Sequence, residues 1–92
     1  MKQGADKEIE FLYKAIVSVN SIDECKEFFD DVCTIKEITS IAQRLTVAKL
    51  LREGKTFNEI VEETGASSAT ISRVNKCLMY GNGYKKVLDK TE

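Results

Sequence analysis

The chain has 92 residues, 42% of them hydrophobic and 32% charged, with a net charge of -1. That length describes one small domain, residues 1–92, and the charge excludes a globally basic protein. Histidine is absent, which removes the commonest general base and a frequent metal ligand. The charge is nevertheless polarised along the chain. Residues 21–40 set Lys26 and Lys36 against six acids, whereas residues 67–90 set Arg73, Lys76, Lys85, Lys86 and Lys90 against Asp89 alone. A positive C-terminal segment favours a polyanionic partner. Its lysines could equally be ordinary solvated groups.

Proline is also absent, and apolar residues recur at spacings of three and four rather than two, so the reading is helical throughout. A first helix is expected over residues 6–18, with Ile9, Leu12, Tyr13, Ile16 and Val17 as its stripe. Ser21 with Glu24 forms a capping box for a second helix over 22–33, striped by Ile22, Cys25, Phe28, Phe29 and Val32. Thr34 with Glu37 opens a long third helix that runs to Glu53 and stops at Gly54. Thr56 with Glu59 opens a short fourth helix over 57–64, ended by Gly65. Ser67 then opens a fifth over 68–79. "YGNGY" at 80–84 breaks the chain before a last short helix over 84–90. Helix content should stand well above the usual third. No internal repeat or membrane-spanning run is visible.

"TGASSATISRVNKCL" at 64–78 ends one helix and begins the next across a single intervening residue, Ala66. Two short helices joined by a tight turn holding glycine make a helix-turn-helix, here spanning residues 56–79. Gly65 suits the left-handed conformation such a turn requires. Ile71, Val74 and Leu78 form the buried stripe of the second helix. The opposite side then carries Ala69, Ser72, Arg73 and Lys76. Small side chains let a helix enter the major groove, a methyl can meet thymine, and arginine can bond guanine. The first N–H groups of this helix, near Ser67 and Ser68, suit a phosphate. The alternative is a plain helical hairpin with a solvated outer face. For DNA binding to hold, Glu59, Glu62 and Glu63 on the preceding helix must point away from phosphate.

Cys25, Cys33 and Cys77 are odd in number and form no CxxC pair, and no signal peptide precedes them. A reduced, cytoplasmic protein is the expectation. Cys25 and Cys33 read as core filler rather than metal ligands. No metal site, no cofactor and no catalytic site is expected. Asp30 and Asp31 are adjacent, so a helix sends them in different directions, and there is no nucleophile–base pair or Gly-rich phosphate loop. The protein is not expected to be an enzyme.

"GASSATISR" at 65–73 resembles the Trp repressor signature, in which Gly-Ala is followed two residues later by Ala-Thr-Ile-x-Arg. "LTVAKLLREGKTFNEI" at 45–60 resembles the helix that leads into that family's helix-turn-helix. From "FLYKAI" to "YKKVLD" the chain is similar to the YerC/YecD branch of Trp repressor-like proteins, over about residues 9–90. The resemblance implies an all-α, intertwined homodimer with two recognition helices in successive major grooves. It places Ser68, Ala69 and Ser72 at groove-facing positions and Thr56 at the start of the preceding helix. Asn58 and Val61 depart from the family, standing where basic residues would face DNA. Arg44 and Arg73 stand where two arginines sandwich the tryptophan indole, and Thr34 matches a threonine near the ligand carboxylate. Cys77 replaces a serine that helps hold the amino group, and a thiol is a poor hydrogen-bonding substitute. A small-molecule effector at Thr34, Arg44, Arg73 and Cys77 is one reading. The other gives Arg44 an internal ion pair and Arg73 a phosphate.

These readings converge on a cytoplasmic, sequence-specific regulator of transcription that binds double-stranded DNA as a homodimer and represses by occupying an operator. Its DNA-facing residues would be Thr56, Ser67, Ser68, Ala69, Ser72, Arg73 and Lys76. A helical protein–protein interaction module without DNA binding is the alternative.

Overall fold

The computed structural model describes residues 3–92. Six helices follow one another: α1 (Gln3–Ser18), α2 (Ile22–Val32), α3 (Ile35–Arg52), α4 (Phe57–Thr64), α5 (Ser68–Tyr80) and α6 (Gly83–Thr91). No strand occurs among the described residues, so the fold class is all-α. The first helix starts three residues earlier than the expected Asp6, at Gln3.

The expected boundaries follow local chemistry. The Thr56 capping box is complete: the Glu59 N–H donates to Thr56 Oγ1 at 3.2 Å, and the Thr56 N–H donates to Glu59 Oε1 at 2.9 Å. Ser21 accepts from the Glu24 N–H at 3.0 Å, but the Glu24 carboxylate takes the N–H of Asn20 instead of that of Ser21. That box is therefore shifted by one residue on its return bond. After α3 the chain turns at Gly54, whose φ of 84° lies in the left-handed region.

The chain divides into two compact units, Met1–Ile35 and Lys36–Glu92. In the second, Val47, Ala48 and Leu50 of α3, Ile60 of α4, Ala66 of the turn, Ile71 and Val74 of α5, and Leu88 of α6 form one buried cluster. Leu51 and Tyr84 pack against it. Arg52 fastens the α3 end to α6, donating to Asp89 Oδ1 at 2.7 Å and lying 3.8 Å from Glu92. In the first unit no described residue is fully buried. Phe28 and Phe29 of α2 meet edge-to-face at 5.7 Å and are half-buried. Phe11, Val17 and Ile22 are 74%, 83% and 87% exposed. The apolar stripes of α1 and α2 exist as the periodicity predicts, yet a single chain leaves much of them open to water.

Candidate nucleic-acid interface

The α4–α5 pair sits in the second unit, and its turn is fixed by a few short bonds. Gly65 adopts φ 72°, ψ 7°, and its N–H donates to the Val61 carbonyl at 2.9 Å, closing α4. A side chain at Gly65 would have open space around it, so the left-handed backbone alone selects glycine. Thr64 donates its hydroxyl to the Ile60 carbonyl at 2.7 Å and accepts the Ala66 N–H at 3.1 Å. Ala66 is buried in the core, where a larger side chain would push the helices apart. Gln43 Nε2 donates to the Thr64 carbonyl at 3.1 Å, tying the end of α4 to α3.

Ser67 caps α5. Its hydroxyl accepts the Thr70 N–H at 3.1 Å and donates to Thr70 Oγ1 at 3.1 Å. The hydroxyls of Thr56 and Ser67 are therefore both occupied in capping. Along α5, Ile71, Val74 and Leu78 are buried, while Ser68, Ala69, Ser72, Arg73 and Lys76 are exposed. Among the described residues Arg73 and Lys76 form no ion pair, and the hydroxyls of Ser68 and Ser72 have no hydrogen-bond partner. The face is chemically unspent.

The acids of α4 are placed differently from one another. Glu59 is folded back onto the Thr56 N–H, and that backbone hydrogen bond holds its carboxyl below the usual range. Glu63 lines a shallow depression with Thr39, Ala42, Gln43 and Thr46, on the α3 side of the pair. Glu62 is exposed.

Of the residues weighed as an effector set, Arg44 is half-buried on α3 and Arg73 exposed on α5, and neither forms an ion pair among the described residues. Thr34 belongs to the other unit. Cys77 lies instead in a largely apolar groove of about 800 Å³ formed by α3, α5 and α6, beside Leu45, Tyr80, Tyr84 and Val87. Neither arginine lines it. Gly81 shapes the corner between α5 and α6, since a Cβ there would come within 2.8 Å of the Cys77 carbonyl oxygen. The sequence reading did not find this groove.

The family model of the Trp repressor protein matches residues 7–92, through the helix-turn-helix and its exposed α5 face. The chain belongs to the Trp repressor family. It is 55% identical over 87 residues to the uncharacterized protein YerC of Bacillus subtilis (strain 168), a match covering 94% of this chain and 84% of that one. Two solved structures resemble it closely. A TrpR-like protein from Eubacterium eligens ATCC 27750 shares 52% identity at a TM-score of 0.88, covering 92% of this chain and 89% of that one. A candidate Trp repressor from Staphylococcus aureus shares 41% identity at a TM-score of 0.88, covering 99% and 95%. The Trp repressor family is regulatory rather than enzymatic, and membership points to DNA-binding regulation. No helix among the described residues is long and apolar enough to cross a membrane.

Proposed function

We propose that this Trp repressor-family chain is a cytoplasmic, sequence-specific transcriptional repressor that acts as a homodimer on double-stranded DNA. The observation that carries the reading is the exposed, unpartnered face of α5, held by a buried stripe and a left-handed glycine turn. In this reading Ser68, Ala69, Ser72, Arg73 and Lys76 enter the major groove. Thr56 and Ser67 bring the N-terminal turns of α4 and α5 to the phosphates. Their hydroxyls are already used, so the contacts would come from the first N–H groups. Selection of bound fragments from random duplex DNA tests this directly. A recovered sequence with two related half-sites is the expected outcome. Indifference to sequence would overturn the reading, as would failure to bind.

Homodimerisation is supported by the apolar groups that a single chain leaves open, since contiguous exposed apolar surface marks interfaces. Two-fold symmetry would also set two α5 helices about one DNA turn, roughly 34 Å, apart. Sedimentation at micromolar concentration should therefore give twice the chain mass of 10.3 kDa. A stable, fully helical monomer would sink the dimer. The same exposed surface is what favours the second reading, an interaction module, which the DNA selection separates from the first.

Tryptophan is not required for DNA binding in this proposal. The family resemblance puts Cys77 where the ammonium of a bound amino acid would sit, and a thiol pairs that charge poorly; in this structure Cys77 lies in a groove that neither Arg44 nor Arg73 lines. The chain holds no tryptophan, so the indole emission of added tryptophan can be followed without protein tryptophan background. Titration should show no saturable shift at micromolar ligand, and DNA binding should be intact without it. A saturable shift with tighter DNA binding would instead make Arg44 and Arg73 effector residues.

A further inference from the structure

We propose that α5 reads a thymine–guanine step, a 5′-TG-3′ dinucleotide, in each half-site. The inference rests on the DNA-binding reading of α5 and specifies the bases it recognises. Ala69 and Arg73 are four residues apart on one row of the helix, and both are exposed. Side chains on a helix lean toward its N-terminus, so the aliphatic stem of Arg73 runs back across the Ala69 methyl. Methyl and stem make one apolar strip that ends in the guanidinium. That guanidinium has no carboxylate or carbonyl partner among the described residues, so its donors are free for a base.

The parallel row carries Ser68, Ser72 and Lys76; the serines are too short for a two-point contact at arginine's reach, and the lysine ammonium is a point charge without arginine's planar fork. A guanine edge answers the fork, because its N7 and O6 both accept in the major groove. A thymine answers the strip, because its 5-methyl is the one apolar group displayed there. The thymine belongs immediately 5′ of the guanine. Its methyl then lies within van der Waals reach of an arginine bonded to the guanine edge. The same step is easily deformed, which lowers the cost of fitting the duplex to two helices held at a fixed spacing.

The experiment uses the full chain and the duplex recovered by selection. A TG step should recur in both half-sites. Replacing its thymine by uracil removes only the methyl and should weaken binding roughly fourfold, the worth of burying one methyl-sized group. Replacing the guanine by 7-deazaguanine removes one acceptor of a charged hydrogen bond and should cost on the order of tenfold. The uracil penalty should shrink in Ala69→Gly, which removes one half of the apolar strip and leaves the Arg73 stem, and the 7-deazaguanine penalty should vanish in Arg73→Ala, measured at lower salt so that phosphate contacts keep the complex measurable. Both base replacements on the parent protein need no variant to fold. Recovered sites without the step, or a parent indifferent to uracil and 7-deazaguanine, would overturn the inference while leaving DNA binding intact. Failure to recover any site would overturn the underlying reading as well.

Discussion

Arg73→Ala should weaken binding to a selected duplex roughly 5- to 150-fold, the equivalent of about 1–3 kcal/mol for one good base contact. Nothing in the fold should compensate or confuse that loss. Arg73 is exposed on α5 and pairs with no group among the described residues, so its removal leaves no orphaned partner and no cavity. Helix content measured by circular dichroism should match the parent. Lys76→Ala should also weaken binding, but evenly across sequences, with the salt dependence shallower by about one released counterion if its contact is to phosphate. Glu62→Lys is the informative control. If Glu62 is turned from the phosphates, reversing its charge leaves affinity unchanged or slightly raised. Parent-like binding by both the Arg73 and the Lys76 variants would show that a different face meets DNA.

How much of this was legible in the sequence depends on the range of the interaction concerned. The α4–α5 pair was readable because its determinants lie within a few residues of one another: Thr56 with Glu59, Gly65 with Val61, Ser67 with Thr70. The buried stripe of Ile71, Val74 and Leu78 was readable for the same reason, since helical spacing fixes which side chains share a face. Periodicity says nothing about what covers a face. Ile22 and Val17 belong to well-formed stripes and still stand in water in one chain. The groove at Cys77 was missed because Leu45 is brought to Tyr80, Tyr84 and Val87 by packing of distant elements. The Arg44 ion pair, one of the two sequence alternatives, does not form among the described residues. Charge counts along a segment could not have decided it. The return bond of Glu24 to Asn20 rather than Ser21 shows a similar limit on a smaller scale, since a motif names its partners only to within a residue.

Ile71→Ala should be the most damaging substitution for the fold of the second unit. Ile71 is 0% exposed and sits in the cluster that joins Val47, Ala48 and Leu50 of α3 to Ile60 of α4 and Leu88 of α6. Truncation removes apolar transfer energy and leaves a cavity between helices that relax only in part, a combined loss of about 2–5 kcal/mol. Small domains are stable by only about 5–15 kcal/mol in total, so this is a large share. Urea titration followed by the helical signal should show a markedly lower midpoint with a similar slope, since a core truncation changes stability rather than the surface exposed on unfolding. Ser72 lies one position along on the exposed side of the same helix, and Ser72→Ala should stay within about 0.5 kcal/mol of the parent. The pair separates the two faces of α5 by physical role. Ile71→Ala should lose DNA binding only as far as it loses folded protein, recovering parent affinity per folded molecule in the cold. An unchanged urea midpoint for Ile71→Ala would mean that the α5 stripe does not hold the helix-turn-helix in place, and the outward direction assigned to Arg73 would fall with it.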